Sequence, residues 1–386
     1  MTAVNILINP MSNTQIIEYE SLASSNQLFM NELEAAALRV IRSGWYVLGQ
    51  EVSAFEAEFA SYIGVKHCIG VANGLDALTM SIEALDLPRG SEILVASNTY
   101  IATILAIIHA GHRPVLVEPD IESFNIDPNG LAAALTGLTR AICVTHMFGK
   151  VCRMDAISSF AADHGLKIIE DCAQSHGARF AGQMSGTFGA AGCFSFYPTK
   201  NLGALGDAGA IVTDDDELAE RLRHTRNYGS REKYVNRYVG HNSRLDEIQA
   251  AMLRVKLRHL EAMTLHKREL AEIYFSGLPS WLALPRQCAE EYDVFHIFAV
   301  RSPARDTLRQ QLLELGVKTE IHYPRPPHRQ QAMMGIVAGN YPIADELHAS
   351  ELSLPISFGH KRDDIEQVIA ALCSLKGQIG AAKDVL

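Results

Sequence analysis

The stretch KHCIGVANGLDALTMSIEAL, residues 66–85, joins a short apolar run directly to a pattern of helical spacing. The same alternation continues to residue 214. The later apolar runs are EILVASN (92–98), PVLVEP (114–119), AICVTHMF (141–148), LKIIEDC (166–172), CFSFY (193–197) and AGAIVTD (208–214). Strands that are apolar on both faces and separated by helices are typical of a parallel sheet covered on both sides. The sequence therefore predicts an α/β fold with a mostly parallel sheet flanked by helices.

A second region begins at about residue 242. Residues 242–278 carry apolar side chains at helical spacing and predict one long helix between two domains. The segments beyond it that are typical of a strand-and-helix domain are FHIFAV (295–300), TLRQQLLELGV (307–317), KTEIHY (318–323) and DDIEQVIAALCSL (363–375). We therefore divide the chain into a large domain with an N-terminal segment, 1–260, and a smaller C-terminal α+β domain, 261–386.

Composition and charge argue against several classes of function. Lys and Arg total 34 against 44 for Asp and Glu, a net charge of −10 that suits a nucleic-acid partner poorly. The seven cysteines are an odd number without a CxxC pair or His-rich metal spacing, which indicates reduced thiols and no metal site. The start, MTAVNILINPMSNTQ, does not resemble a signal peptide, and no apolar run is long enough to cross a bilayer. The expectation is a cytoplasmic protein without a membrane partner.

The segment VANGLDAL contains a possible phosphate cradle. A predicted strand ends at Asn73 and Gly74, and a helix begins at about Leu75. The free amides at the amino end of a helix can hold a phosphate. An ordinary strand-to-helix turn, capped by Asn73 or Asp76, explains the same pattern.

Two later segments place polar or aromatic groups just past predicted strands. Tyr100 in SNTYIAT lies where ligands of open α/β sheets bind, and its ring can stack on a flat ligand or serve packing alone. Asp171 in IIEDCAQSHGA would be a buried carboxylate, which requires a positive neighbour such as a pyridinium nitrogen. Gln174 could then reach the phenolic oxygen of the same ring. A helix cap or a structural ion pair is the alternative interpretation of Asp171.

The segment CFSFYPTKNLGALGDAGAIV, residues 193–212, carries a lysine in an apolar and glycine-rich setting. Shielding from water would lower the pKa of Lys200 enough for its amine to form an imine, although a surface lysine is the simpler interpretation. Ser195 can offer a hydroxyl to a phosphate. An anion cradle, a stacking ring, a carboxylate for a pyridinium nitrogen and an imine-forming lysine are together what pyridoxal 5'-phosphate requires of a protein.

As a set, these segments resemble the DegT/DnrJ/EryC1/StrS sugar aminotransferases, which belong to the fold-type-I aspartate aminotransferase superfamily. The likeness covers nearly the whole chain. The matching segments are GWYVLGQEV (44–52), NGLDAL (73–78), TYIAT (99–103), IIEDCAQSHGA (168–178), FSFYPTKNLGALGDAGA (194–210), HNSRLDEIQAA (241–251) and IHYPRPPH (321–328).

The resemblance implies a role for each matching position. Lys200 would hold pyridoxal phosphate through an imine, and Asp171 would pair with the ring nitrogen. Asn242 would reach the phosphate bound by the neighbouring subunit, which implies a homodimer with shared active sites. The further cofactor contacts would be Gly74, Leu75, Tyr100, Gln174 and Ser195. The family usually has Thr or Ser where this chain has Leu75, so only the backbone amide of Leu75 could serve.

The resemblance also implies a reaction, in which L-glutamate donates an amino group to a nucleotide-linked keto sugar. Relatives with histidine in place of the lysine act as dehydratases, so Lys200 favours transamination. The stretch KNLGALGDAG (200–209) is similar to that of members acting on 3-keto-6-deoxy sugars. It favours a dTDP-3-keto-6-deoxyhexose acceptor and a dTDP-3-amino-3,6-dideoxyhexose product for O-antigen or lipopolysaccharide. The alternatives are a 4-keto acceptor, a pyridoxal-phosphate-dependent sugar dehydratase and a non-catalytic regulatory protein that binds the cofactor.

Candidate substrate contacts lie on segments that the family places around the mouth of the active site. These candidates are Tyr46, Tyr228, His322 and Tyr323. Arg231 and Arg237 are candidates for the pyrophosphate. Structural histidines, half-buried packing tyrosines and solvated loop charges are the alternative interpretations of these residues.

Overall fold

The computed structural model describes residues 16–232 and 234–375. The segment MTAVNILINPMSNTQ and residues 376–386 of the expected small domain lie outside the described residues. The helices are α1 (Leu22–Gln27), α2 (Met30–Ser43), α3 (Gln50–Ile63), α4 (Gly74–Ala84), α5 (Ile101–His109), α6 (Leu131–Ala134), α7 (Met154–His164), α8 (Asp216–Thr225), α9 (Glu247–Leu257), α10 (Leu260–Gly277), α11 (Arg305–Glu314), α12 (Pro342–Ser350) and α13 (Arg362–Ser374). None of these helices has both the length and the apolar character that a membrane span needs.

The strands include every apolar run predicted between residues 66 and 214. They are β1 (His67–Val71), β2 (Glu92–Ala96), β3 (Arg113–Val117), β4 (Thr139–Thr145), β5 (Lys167–Asp171), β6 (Arg179–Phe180), β7 (Gln183–Met184), β8 (Ala191–Ser195), β9 (Gly209–Thr213), β10 (Ser230–Glu232), β11 (Val235–Asn236), β12 (Glu291–Tyr292), β13 (Phe298–Arg301) and β14 (Glu351–Leu354). Seven of them form the central sheet in the order β1-β9-β8-β5-β4-β2-β3. Only β9 runs against the others in this sheet. The predicted α/β class with a mostly parallel sheet is confirmed.

Helices cover both faces of the sheet. The neighbouring residues Ile93 and Leu94 of β2 point to opposite faces, and both are fully buried. Ile93 packs in the cluster that contains Ile104 of α5, and Leu94 packs in the cluster that contains Ile157 of α7. Burying one such side chain stabilises the fold by about 1.5–3 kcal/mol. This two-sided burial is the reason that the strands consist of almost continuous apolar residues.

A second core lies in the C-terminal part of the chain. There β13 and β14 pair antiparallel. Phe298 and Leu354 from these strands pack with Tyr274 of α10 and Val368 of α13, and all four are fully buried. Ile17 of the N-terminal segment packs in the same cluster. The beginning and the end of the described chain therefore contribute to one core.

The predicted single helix over 242–278 is wrong. The chain bends at Arg258 and His259, between the end of α9 and the start of α10. α9 packs against α2 and α3, whereas α10 packs against α13. The apolar repeat continues through the bend while its two halves bury different faces, so periodicity alone does not reveal it.

The segment KTEIHY, 318–323, lies in the expected strand-and-helix domain but is not one of its strands. This segment forms only an isolated bridge, between Glu320 and Ser353. The amide of His322 instead donates to the Glu351 carboxylate at 2.7 Å. The pairing with β14 therefore stops at Glu320 and Ser353, and the His322 amide has a side-chain acceptor instead.

Candidate active site

The carboxyl ends of the parallel strands lie at one edge of the sheet. β4 leads into His146, β5 ends at Asp171, and β8 ends at Ser195, with Lys200 in the loop that follows. Tyr100 lies after β2, at the start of α5. Ligands of open α/β sheets bind at this edge. The topology therefore gathers side chains that are distant in sequence.

Asp171 is a buried carboxylate with a hydrogen-bond donor on each oxygen. Its Oδ2 accepts the Thr103 hydroxyl at 2.7 Å, and its Oδ1 accepts the Ala173 amide at 3.1 Å. Burial raises the pKa of Asp171 above its usual value, while these hydrogen bonds and the nearby Lys200 act to lower it. Within the described ranges no ion pair involves Asp171. The carboxylate therefore suits a bound cation such as a protonated ring nitrogen.

Lys200 lies close enough to Asp171 that each charge affects the pKa of the other group. Burial lowers the pKa of its amine to about 8, against the opposing effect of Asp171 and Glu20. The loop turns tightly after Lys200, since a side chain at Gly203 would collide with the carbonyl of Pro198. A lysine that loses its proton near neutral pH suits nucleophilic and proton-transfer chemistry.

Two other lysines, both buried, support this loop. Lys256 Nζ donates to the carbonyl of Gly203 at 2.8 Å, and Lys267 Nζ donates to the side chain of Asn201 at 3.1 Å. Glu20 faces Lys267, Lys256 and Lys200, and their charges oppose the rise in its pKa that burial causes. Sequence reasoning missed this group, because the lysines belong to α9 and α10 and the glutamate to the N-terminal segment.

The segment predicted to form a phosphate cradle connects the end of β1 to the start of α4. Asn73 caps α4 by accepting the Asp76 amide at 2.8 Å. A Cβ added at Gly74 would lie 2.7 Å from Cβ of Ser195, so the missing side chain keeps the space between them open. Leu75 packs against the apolar core, which leaves its backbone amide for a ligand. The residues present therefore fit a phosphate at the amino end of α4.

Tyr100, Gln174 and Tyr323 form one group. The rings of Tyr100 and Tyr323 have centroids 4.9 Å apart, and Tyr100 is 47% exposed. Gln174 Nε2 donates to the Tyr323 hydroxyl at 3.1 Å, and its Oε1 accepts the Phe148 amide at 2.7 Å. A partly open aromatic face therefore lies beside a side-chain amide of fixed orientation, as a flat ring with a polar substituent requires.

His322 belongs to a buried polar chain next to Tyr323. Its Nδ1 lies 2.8 Å from Ser353 Oγ, and Ser353 Oγ donates to Glu351 at 2.5 Å. Burial and the charge of Lys200 lower the pKa of His322 to about 4. Burial raises the pKa of Glu351 to about 8. His322 is therefore a neutral imidazole at physiological pH.

Three of the residues predicted for the site, Tyr46, Tyr228 and Asn242, lie outside the group around Lys200 and Asp171. The Tyr46 hydroxyl donates to the Ile41 carbonyl at 3.3 Å, and the Arg244 guanidinium lies 5.3 Å from the Tyr228 ring centroid. Asn242 is exposed and forms a bridge with Asn227. In the part of the chain that the structure describes, no hydrogen bond or ring contact joins these three residues to Lys200 or Asp171.

The two predicted pyrophosphate contacts have partners of their own. Arg231 is paired with Glu220; the Arg231 side chain is exposed and that of Glu220 is half-buried. The Arg237 guanidinium lies 5.5 Å from the ring centroid of Tyr238. Neither pairing points to a phosphate.

Sequence reasoning also missed a buried polar network beside Asp171. The atoms of His146, Glu170 and Cys172 that could bind a metal ion lie within 4.8 Å of one another. Glu170 already accepts His146 Nε2 at 3.0 Å and the amides of residues 186, 188 and 189, each at 2.7 Å. His146 Nδ1 accepts the Cys152 amide at 3.1 Å, so the ring proton lies on Nε2. These hydrogen bonds account for the cluster as a structural network rather than a metal site.

Comparison with known proteins agrees with this geometry. The model of the DegT/DnrJ/EryC1/StrS aminotransferase family matches residues 28–373. The dTDP-3-amino-3,6-dideoxy-alpha-D-galactopyranose transaminase of Aneurinibacillus thermoaerophilus is 48% identical over 358 residues, 92% of this chain and 99% of that protein. The erythromycin biosynthesis sensory transduction protein EryC1 of Saccharopolyspora erythraea is 45% identical over 346 residues, 89% of this chain and 94% of that protein.

A solved structure is also similar. The crystal structure of S. venezuelae DesV in complex with a ketimine intermediate has a TM-score of 0.92 and 43% identity, and the match covers 94% of this chain and 98% of that one. The chain belongs to the DegT/DnrJ/EryC1/StrS aminotransferase family and is a pyridoxal-phosphate-dependent aminotransferase.

Proposed function

We propose that this enzyme transfers the amino group of L-glutamate to a nucleotide-linked keto-deoxysugar. The proposed acceptor is dTDP-3-keto-6-deoxyhexose, and the product is dTDP-3-amino-3,6-dideoxyhexose. The A. thermoaerophilus relative is named for such a product, which supports the choice of sugar. The observation that carries the proposal is the pairing of half-buried Lys200, with an amine of pKa about 8, and buried Asp171, whose carboxylate forms no ion pair with any residue that the structure describes.

Lys200 and Asp171 have separate tasks in the proposed reaction. When bound, pyridoxal phosphate supplies an electron-withdrawing ring that stabilises negative charge on the substrate carbon. Lys200 would hold the cofactor covalently and, once released, would carry a proton between the substrate carbon and the cofactor carbon to which it had been attached. Asp171 would keep the proton on the ring nitrogen. Because Asp171 is only 4% exposed, water screens this interaction weakly.

The remaining assignments follow the shape of the site. The cradle between α4 and β8 would hold the phosphate, and the exposed face of Tyr100 would stack on the ring. Gln174 would meet the ring hydroxyl, with His322 and Tyr323 near the bound sugar. The residues assigned to the phosphate are Gly74, Leu75 and Ser195, with Asn242 from the neighbouring subunit.

The shared site requires a homodimer, and an exposed apolar surface supports one. Trp45, Tyr46 and Val47 are 64%, 56% and 42% exposed, and Leu205 is 50% exposed. The Tyr46 carbonyl accepts the Glu247 amide at 3.1 Å, so this surface lies beside the start of α9. Clustered exposed apolar side chains mark protein–protein contacts. We assign this surface to the dimer, with Tyr46 and Tyr228 serving the site of the partner subunit.

Mixing two inactive variants tests the shared site. Refolding Lys200→Ala and Asn242→Ala together in equal amounts is expected to restore about a quarter of wild-type activity, because half of the dimers are hybrids and each hybrid has one intact site. Asn242→Ala alone is expected to bind the cofactor weakly. Activity no higher than the sum of the separately refolded variants would place Asn242 in its own subunit's site.

A regulatory protein is the second candidate, because one relative is named a sensory transduction protein. The two candidates differ in their response to the amino donor. A transaminase is expected to lose the visible absorption band of its bound cofactor when L-glutamate is added. A band that glutamate leaves unchanged would favour regulation.

A deoxygenated sugar formed without an amino donor would favour a dehydratase, and an amino group at C4 would favour the 4-keto acceptor.

Compartment and domain boundaries are further parts of the proposal. All seven cysteines are free, which supports a reducing compartment such as the cytoplasm. α10, which contributes Tyr274 to the second core, begins at Leu260, which supports the division at residue 260. Supply of the product to O-antigen or lipopolysaccharide rests on the family resemblance.

A further inference from the structure

Three buried threonine hydroxyls form a chain that ends on Asp171. Thr103 Oγ1 donates to Asp171 Oδ2 at 2.7 Å. Thr99 Oγ1 lies 2.9 Å from Thr103 Oγ1 and 2.8 Å from Thr145 Oγ1. The three threonines are between 0% and 3% exposed. The chain is therefore shielded from water along its whole length.

The hydrogens of this chain have a preferred direction. Each hydroxyl has one hydrogen to give, and an ionised carboxylate can only accept. Thr103 must therefore give its hydrogen to Asp171. Along the shortest contacts Thr99 then donates to Thr103, and Thr145 donates to Thr99. Hydrogen bonds aligned in this way polarise one another and strengthen the last one, which stabilises the charged form of Asp171.

Local structure explains how the chain is assembled. Thr103 lies in the first turn of α5, three residues after Tyr100, so both side chains are on the same side of that turn. Thr99 is four residues before Thr103. Thr145 ends β4 and is the register partner of Asp171 at the end of β5. One helix start therefore presents both the proposed stacking ring and the hydroxyl that contacts the carboxylate.

Packing alone does not require these hydroxyls. Valine has nearly the shape of threonine, and replacing a buried hydrogen-bonded set by apolar groups of the same shape can be nearly neutral for stability. The hydroxyls differ from valine in what they do to the carboxylate. Burial raises the pKa of Asp171, and the hydrogen bond from Thr103 is the largest effect that lowers it.

We propose that Thr103, supported by Thr99 and Thr145, is a positioning residue that keeps Asp171 ionised and oriented toward the ring nitrogen of the cofactor. This inference rests on the proposed pairing of Asp171 with that nitrogen. It assigns a task in the cofactor site to a residue whose side chain is fully buried.

The test measures the protonation of the ring nitrogen directly. Enzyme loaded with pyridoxal phosphate that carries ¹⁵N in the ring is titrated with pH, and the ¹⁵N chemical shift is followed by NMR. In Thr103→Val the deprotonation midpoint is expected to fall by about one to two pH units, the size of one hydrogen bond to a charged group. We expect kcat to fall by roughly 10–100-fold, and Thr103→Ser to restore both values.

Control variants distinguish the possible reasons for a negative result. If the deprotonation midpoint of the ring nitrogen in Thr103→Val equals that of the wild type, the inference is overturned. Asp171→Asn is measured alongside, because a midpoint unchanged in that variant as well would refute the pairing itself rather than the role of Thr103. Thr99→Val removes only the next hydroxyl and is expected to give a smaller shift in the same direction. If Thr103→Val does not fold, Thr99→Val is used in its place. An unchanged deprotonation midpoint in Thr99→Val then counts against the inference.

Discussion

Replacing Lys200 by alanine is expected to abolish covalent attachment of pyridoxal phosphate and to lower turnover by about 10⁴-fold or more. Alanine lacks the amine that is proposed to bind the cofactor and then to move the proton. The fold should survive, since in the described residues no hydrogen bond uses Lys200 Nζ. Borohydride reduction followed by peptide mass spectrometry measures the attachment, and circular dichroism measures the fold.

Lys256 provides a matched control for this experiment. Lys256 is buried, its pKa is likewise lowered to about 8, and it supports the loop of Lys200 through the Gly203 carbonyl. Lys256→Met is expected to retain the reducible adduct on the peptide that contains Lys200, with some loss of stability. An adduct that persists in Lys200→Ala would show that another lysine holds the cofactor.

Replacing Asp171 by asparagine is expected to leave the cofactor bound but to lower kcat by roughly 10²–10³-fold. Asparagine has the same shape and can still accept the hydroxyl of Thr103. It has no negative charge with which to hold a proton on the ring nitrogen. Fluorescence titration of the apo-protein with pyridoxal phosphate measures binding, and steady-state kinetics measures the rate.

Glu170 provides the control for Asp171, since it is the adjacent buried acid on the same strand. Its carboxylate is occupied by His146 and by the amides of residues 186, 188 and 189. Glu170→Gln is expected to destabilise the fold by about 1–3 kcal/mol, with a smaller effect on kcat than Asp171→Asn has. Wild-type turnover in Asp171→Asn would refute the proposed role of that carboxylate.

The fold was predictable where burial leaves a local pattern. Strands of a sheet covered on both faces are apolar throughout, as Ile93 and Leu94 illustrate, so the seven central strands were found as apolar runs. The bend at Arg258 and His259 leaves no such pattern, because the apolar repeat continues across it. The segment 318–323 forms no strand because its pairing with β14 is limited to Glu320 and Ser353, while the His322 amide donates to the Glu351 carboxylate.

The site was predictable where its residues follow strand ends. Lys200 and Asp171 could be grouped because the carboxyl ends of parallel strands meet at one edge of the sheet. Thr103 was missed because its partner lies 68 residues away, and a threonine in an apolar helix has no distinctive local signal. Asn242, Tyr46 and Tyr228 were named only through the family resemblance, since the role proposed for them in a neighbouring subunit would leave no trace in the pattern of their own chain.

The most direct measurement supplies the enzyme with ¹⁵N-labelled L-glutamate and dTDP-3-keto-6-deoxyhexose, and follows the label by NMR and mass spectrometry. The proposed function predicts ¹⁵N bound to C3 of the sugar and one 2-oxoglutarate for each amino sugar formed. The transamination claim would be contradicted by a sugar that stays unlabelled while wild-type enzyme, loaded with cofactor, is present.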